Sequence, residues 1–228
     1  MTGTIVTLAT GAEARLGPAG PELAAVLVNG GTARLAAGTW SATSELLVRE
    51  LAPRFPDVRF VEVRYRVKSW KALEGCVEDC EAAVDLAVAE GAARCLLIGF
   101  SMGGAVSIAA AGSPAVTGVL GLSPWIPSRL ALDPLAGKRL DVLQGGLDRG
   151  LPGIPGISPK SSRAGFDRAR ALGVPGTYRV VRGGLHGCAL RARSGRLLRL
   201  PRWRGWVDGV AAELDRSQAS AVSRRRAS

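Results

Sequence analysis

The sequence predicts an α/β protein built on a doubly wound, mainly parallel β-sheet with helices on both faces. Short apolar runs alternate with helix-period segments over most of the 228 residues. Residues 95–128 carry no formal charge but contain several glycines and prolines. Such a run is typical of strands and a helix buried in a parallel sheet, because that sheet is covered on both faces. Residues 1–222 are therefore predicted to form one domain, and the basic segment 223–228 a disordered tail.

Six segments have the length and the apolar pattern of strands. Residues 23–28 are continuously apolar and end at the Asn-Gly-Gly of residues 29–31, and residues 58–65 alternate apolar with charged side chains. The other four predicted strands are residues 94–98, 116–122, 139–143 and 177–181.

Five segments have helical periodicity. Residues 41–51 begin at Ser41 or near Thr43, either of which can cap the helix, and residues 73–89 end before Gly91. The remaining predicted helices are residues 102–111, 161–172 and 203–214. The Pro/Gly-rich segment 150–159 is predicted to be a surface loop within the single domain.

The chain is basic, with a net charge of +11 and a sequence pI of about 10.7. Such a balance can indicate a nucleic acid or an anionic membrane as partner. However, the arginines are scattered along the chain, and aromatic residues make up only 5% of it, too few for a base-stacking platform. We expect neither a nucleic-acid nor a membrane partner.

The cellular compartment can be predicted from the first residues and from the cysteines. The chain starts with neither a basic region nor a long apolar stretch, so we expect no secretory signal and a cytoplasmic location. Four cysteines in a chain of this length do not form a disulfide framework. Cys76 and Cys80 lie one helical turn apart, where a disulfide would strain the helix, and are predicted to be core residues.

Residues 99–103 read Gly-Phe-Ser-Met-Gly and match the G-x-S-x-G pattern, which Gly104 extends. The pattern lies between a predicted strand and a predicted helix, where a tight turn can present a nucleophilic serine. The flanking glycines leave room for that turn and for close packing of the helix on the strand. Ser101 is therefore the candidate nucleophile; the alternative is an ordinary glycine-rich strand–helix turn.

A serine hydroxyl is a weak nucleophile until a base removes its proton. His186 is the only histidine of the chain and lies among glycines just after the predicted strand 177–181. That position is at the end of the sheet where ligands bind in folds of this kind. We interpret His186 as the base, with a histidine that has no catalytic role as the alternative.

A carboxylate should hold the imidazole in its productive tautomer. Asp148 follows the predicted strand 139–143 by a few residues and is the preferred candidate. Asp133 precedes that strand, Asp141 lies inside it and Asp167 lies on a predicted helix, so these three are less well placed. The alternative is that Asp148 only caps a loop. With Asp148 as the acid, the chain order is Ser, Asp, His.

Acyl transfer also requires backbone N–H groups that stabilise the developing oxyanion. Met102, directly after the candidate nucleophile, should supply one, and Gly31, in the loop after the predicted strand 23–28, should supply the other. The alternative is that the Asn-Gly-Gly of this loop forms only a turn.

With these residues, the chain resembles the α/β-hydrolase superfamily from about residue 23 to residue 214. It looks closest to the small bacterial hydrolases grouped with dienelactone hydrolases and serine-peptidase-like esterases, on residues 65–70, 123–127 and 185–190. The resemblance implies an eight-stranded, mainly parallel sheet, and neither a metal nor an organic cofactor.

The sequence departs from the family at Asn29 and Phe100, two positions where the family often has histidine. Little chain separates the strand that ends at Leu122 from the next strand, and larger members insert a cap domain there. The protein is therefore predicted to be capless or minimally capped. In that open site Trp125 and Ile126 would contact the substrate together with Phe100, or would simply pack in the core.

These residues predict a serine hydrolase that cleaves a carboxylic ester or thioester of a small acyl substrate through an acyl-enzyme. Acyl transfer and peptidase activity use the same machinery, and a non-catalytic binding protein on the same fold is a further alternative. The sequence leaves the substrate open, and we expect a monomer or a homodimer.

Overall fold

The computed structural model describes residues 3–18, 22–149 and 156–225. Its strands are β1 (Thr4–Thr7), β2 (Glu13–Leu16), β3 (Leu23–Val28), β4 (Ala36–Ala37), β5 (Val58–Arg64), β6 (Val67–Lys68), β7 (Arg94–Phe100), β8 (Val116–Leu122), β9 (Arg139–Gly145), β10 (Tyr178–Val181), β11 (Ala189–Arg191) and β12 (Leu197–Arg199). Its α-helices are α1 (Ala42–Leu51), α2 (Leu73–Ala89), α3 (Met102–Ala109), α4 (Pro159–Ala171) and α5 (Trp203–Arg225).

Eight strands form one sheet in the order β1-β2-β5-β3-β7-β8-β9-β10. β2 pairs antiparallel with both β1 and β5, and every other pair in this sheet is parallel, which confirms the predicted fold class. The chain passes from β3 to β5 on one side and then to β7 on the other side of β3. Ligand sites of open α/β sheets form at such a reversal, outside the carboxyl ends of the strands.

Helices cover both faces of the sheet, as an apolar parallel sheet requires. Side chains alternate along each strand, so Val26 and Val28 of β3 join the core beneath α2, α3 and α4. Ala25 and Leu27 of the same strand join the core beneath α1 and α5. The uncharged run 95–128 contains β7, α3 and β8, in the middle of the sheet.

Several predicted elements have the predicted bounds, namely β3, β8 and α2. Ser41 is the N-cap of α1, and its side chain accepts a hydrogen bond from the Ser44 amide. Helix α4 begins two residues earlier than predicted, because Ser158 caps it and Pro159 occupies the first helical turn, where proline is well tolerated. Of the predicted surface loop 150–159, residues 150–155 lie outside the described residues.

The described residues contain six short strands that the sequence does not predict, namely β1, β2, β4, β6, β11 and β12, and the last helix is longer than predicted. The sequence predicts neither β1 nor β2, since each has only four residues, too few to show an alternating pattern. Helix α5 continues to Arg225 instead of ending at Leu214, because no glycine or proline interrupts residues 210–225. The predicted disordered tail 223–228 is therefore helical in its first three residues, and residues 226–228 lie outside the described residues.

Three smaller expectations can be compared with the described residues. Cys76 and Cys80 are buried free thiols, as predicted for core residues. Between β8 and β9 the chain forms one short 3-10 turn, Asp133–Leu135, and no inserted domain, which confirms the minimal cap. Within the described parts of the chain, no helix combines the length and the apolar character needed to cross a bilayer.

Candidate active site

Ser101 lies in the tight turn between β7 and α3. Its backbone has φ 55° and ψ −118°, a conformation that residues other than glycine rarely adopt and that stores strain. The turn is held from the β8 side, since the Ser101 amide donates to the carbonyl of Leu122 at 3.0 Å. The carbonyl of Ser101 accepts hydrogen bonds from the amides of Gly104 and Trp125 at 2.9 and 2.8 Å. The G-x-S-x-G segment therefore forms the strained strand–helix turn that the sequence predicts.

The two glycines of this segment are required by close packing. A Cβ atom at Gly99 would collide with the carbonyl of Gly103, and one at Gly103 would collide with the carbonyl of Val28 at the end of β3. The spacing thus lets α3 begin directly against the two central strands.

Gly103→Ala should lower the free energy of unfolding by about 1–3 kcal/mol, because the new methyl group would meet backbone that cannot move aside. Helix propensity alone would favour alanine by about 1 kcal/mol, so the sign of the change reports the collision. Gly112→Ala is the matched control, since Gly112 is exposed and has open space around its Cβ position. Urea denaturation measures both variants, and a raised midpoint for Gly103→Ala would contradict the packing argument.

His186 lies in the glycine-rich loop after β10, and its Nδ1 is 2.7 Å from Oδ2 of Asp148. An ionised carboxylate only accepts hydrogen bonds, so this contact assigns the proton to Nδ1 and leaves Nε2 as an acceptor. Asp148 is only 1% exposed, and the imidazole packs on the Phe100 ring with centroids 4.8 Å apart. The structure thus brings together the histidine and the carboxylate that the sequence predicts as partners.

A buried polar chain holds the Asp148 carboxylate. The Ile157 amide donates to Oδ1 at 3.1 Å, and Nε2 of Gln144 donates to Oδ2 at 3.2 Å. Nε2 of Gln144 also donates to the Ile157 carbonyl at 2.9 Å, which fixes the orientation of its amide. Oε1 of Gln144 accepts from Ser162 at 2.7 Å, and Ser162 contacts the Tyr178 hydroxyl at 2.8 Å. Side chains of β9, β10 and α4 therefore position the carboxylate.

The three other candidate carboxylates lie elsewhere. Asp141 is buried near the start of β9, where it accepts hydrogen bonds from Thr177 and pairs with Arg139 at 3.2 Å. Asp133 and Asp167 are exposed. Among the four carboxylates, only Asp148 pairs with the histidine.

Cys188 is a second nucleophilic side chain close to His186 in the chain. It is buried, and burial raises the pKa of its thiol to about 12, so the thiol stays protonated at neutral pH. Its Sγ lies 3.6 Å from the carbonyl of Thr43, which ties the histidine loop to α1. This cysteine has a packing role, and Ser101 remains the candidate nucleophile.

The loop after β3 lies beside the nucleophile, as the strand order dictates. A Cβ atom at Gly30 would lie 3.4 Å from the Cβ of Ser101, and one at Gly31 would collide with the thioether of Met102. Only glycine fits at position 31 without displacing the Met102 side chain. The two predicted oxyanion donors therefore lie on adjoining segments.

Asn29 fixes the shape of this loop. Its Oδ1 accepts from the Gly30 amide at 2.7 Å, and its Nδ2 donates to the Thr39 carbonyl at 2.7 Å. Its own carbonyl accepts from the buried Tyr65 hydroxyl at 2.9 Å. The Gly30 amide is thus occupied by the Asn29 side chain, and Gly31 stays the predicted oxyanion donor of this glycine pair.

Ser101 and His186 line one cavity of about 210 Å³ together with Phe100. Trp125 and Ile126 are not among the residues that line this cavity. Ile126 is 4% exposed and packs in the core, where α4 approaches it closely. Trp125 is half-buried and stacks on Trp70. Ile126 is therefore a core residue, and contact of Trp125 with a substrate stays a prediction.

Two kinds of site residue escape the sequence analysis. Gln144 and Tyr178 contact the Asp148 region only after β9 and β10 pair in the sheet, so no local motif marks them. Lys68 lines the cavity from β6, a strand of two residues. Lys68 lies in the segment 65–70, which resembles the small bacterial hydrolases, so the sequence marks this segment. The resemblance gives Lys68 itself no catalytic or binding role.

The chain is similar to known proteins in its structure and not in its sequence. No protein-family model matches the sequence, and no curated protein is significantly similar to it. Its structure is similar to a sugar hydrolase from Lactococcus lactis, with a TM-score of 0.70 and 18% identity over 96% of this chain and 99% of that one.

Two further solved structures are similar. A carboxylesterase from Lactobacillus plantarum has a TM-score of 0.64 and 16% identity, over 96% of this chain and 97% of that one. A serine hydrolase without a lid from Xanthomonas campestris has a TM-score of 0.56 and 17% identity, over 82% of this chain and 86% of that one. At identities this low, structural similarity establishes the fold alone. The chain therefore has the α/β-hydrolase fold, as the resemblance implied.

Proposed function

We propose that this α/β-hydrolase-fold protein is a serine hydrolase that cleaves a carboxylic ester or thioester of a small acyl substrate. The observation that carries the proposal is the 2.7 Å contact between His186 and the buried Asp148 carboxylate, on a cavity that Ser101 also lines. A histidine oriented in this way, beside a serine on a strained turn, is the arrangement that activates a hydroxyl.

In this mechanism Ser101 Oγ attacks the carbonyl carbon while Nε2 of His186 takes the hydroxyl proton. The amides of Gly31 and Met102 stabilise the oxyanion of the tetrahedral intermediate. His186 then gives the proton to the leaving alcohol or thiol, and the acyl group stays on Ser101. Water attacks the acyl carbon as His186 removes its proton. His186 then gives that proton to Ser101 Oγ as the bond to the acyl carbon breaks, which releases the acid and restores the serine. Asp148 keeps Nδ1 protonated and stabilises the imidazolium.

The proposal can be tested before any substrate is known. Purified protein treated with a fluorophosphonate probe should gain the mass of one adduct, and Ser101→Ala treated in parallel should gain none. Intact-mass spectrometry reads both results. Ester and thioester panels, with alcohols or amines added as acceptors, then separate hydrolysis from acyl transfer, and peptide substrates test the peptidase alternative.

A well-folded protein that gives no adduct would contradict the proposal. The hydroxyl would then lack activation, and a non-catalytic binding role on the same fold would take its place. Circular dichroism on the same sample establishes that the protein is folded.

A further inference from the structure

Lys68 is a cation on the wall of the candidate active site that the proposed chemistry does not use. It is half-buried, and it lines the same cavity as Ser101, His186 and Thr39. Its ammonium donates to the hydroxyl of Thr39 at 2.7 Å, and its backbone carbonyl accepts from Thr32 at 3.2 Å. Lys68 is therefore tied to the loop that follows β3, which supplies one predicted oxyanion donor.

The two charged residues that line this cavity, Lys68 and Arg191, are both cations. Among the described residues, no carboxylate lies within salt-bridge distance of Lys68, and no aspartate or glutamate lines the cavity. The second cation of the lining, Arg191, is already paired with the Glu45 carboxylate at 2.6 Å. Burial also lowers the pKa of Lys68, as expected for a cation that has lost water without gaining a carboxylate partner.

We propose that Lys68 binds an anionic group, a carboxylate or a phosphonate-like oxyanion, on the acyl part of the substrate, so that the protein prefers anionic esters. This inference rests on the proposed serine-hydrolase function and names its substrate class. A partly desolvated ammonium with a neutral partner gains most from a ligand that brings a full negative charge.

The test compares esters that share a leaving group and differ in the charge at the far end of the acyl chain. The neutral reference is 4-nitrophenyl butyrate, the carboxylate probe is the 4-nitrophenyl monoester of succinate, and the phosphonate probe is the 4-nitrophenyl ester of 3-phosphonopropionate. The measured quantity is the ratio of kcat/KM for each anionic ester to kcat/KM for the butyrate. We expect a ratio above one for the native protein, and the larger of the two ratios identifies the anion.

Lys68→Met nearly keeps the length of the side chain and removes its charge. The kcat/KM ratio of the preferred anionic ester to the butyrate should therefore fall about ten- to a hundredfold. Lys68→Arg should retain most of the preference because it keeps the charge. Lys71→Met is the matched control: it makes the same change at an exposed lysine three residues away, outside the cavity lining, and should leave the ratios unchanged.

The outcomes separate this inference from the function on which it rests. Ratios at or below one for both anionic esters, or ratios that survive Lys68→Met, would overturn the role of Lys68 while the butyrate is still hydrolysed. Failure to hydrolyse any of the three esters, with no fluorophosphonate adduct, would instead remove the serine-hydrolase proposal and this inference with it.

Discussion

Ser101→Ala and His186→Ala should each lower kcat by about 10⁴- to 10⁶-fold, and the double variant should be hardly slower than either single variant. Without Oγ there is no atom to form the acyl-enzyme. Without the imidazole the hydroxyl loses the base that takes its proton. Because the two residues perform one step together, removing the second costs little once the first is gone. Steady-state kinetics on an ester found in the panel measures all three variants.

Ser107→Ala is the matched control for the serine substitution. Ser107 lies on α3 as well, and its buried hydroxyl has no hydrogen-bond partner among the described residues, so its removal should leave kcat within a few-fold. Two partial losses that multiply in the double variant would contradict a shared step. Melting temperatures of the variants show whether a loss of activity is a loss of fold.

The central elements could be predicted because their side-chain patterns report their surroundings directly. Residues 23–28 are apolar on both faces, and the structure gives β3 a helix-covered core on each side. Helix α2 ends at Ala89, ahead of the positive-φ Gly91 that the sequence marks as its stop. In contrast, β2 forms by pairing with β5, and β1 by pairing with β2 at the edge of the sheet. Four residues carry too little periodicity to show such pairing.

Some residues of the candidate site could be predicted from the sequence and others could not. Ser101 is marked by a local pattern, and His186 is the only histidine, so both could be selected from the sequence. Their supporting residues could not be, because each contact joins distant parts of the chain. The Gln144–Ser162 bond spans 18 residues, and the contact of Thr43 with the histidine loop spans more than a hundred. Ile126 could not be assigned from its position in the sequence either, because only the structure shows that α4 covers it and that it packs in the core.

Asp148→Asn should lower kcat about 10⁴-fold through the tautomer of His186. Oδ2 accepts from His186 and from Gln144, and Oδ1 accepts from the Ile157 amide. An asparagine amide placed at the Oδ2 position would face the Gln144 donor and draw the imidazole proton to Nε2, where it blocks the base. Placed at the Oδ1 position, it would meet the Ile157 amide, another donor. Either orientation leaves a buried donor unpaired, which should also cost about 1–3 kcal/mol of stability.

The rate of fluorophosphonate labelling should fall in parallel with kcat, because both report the nucleophilicity of Ser101. Asp133→Asn and Asp167→Asn make the same substitution at exposed carboxylates and should leave both rates within a few-fold. Retention of more than a tenth of native kcat in Asp148→Asn would show that His186 keeps its tautomer without this carboxylate. In that case Asp148 would serve the stability of the β9–α4 region, and the drop in unfolding free energy would remain while the catalytic loss disappeared.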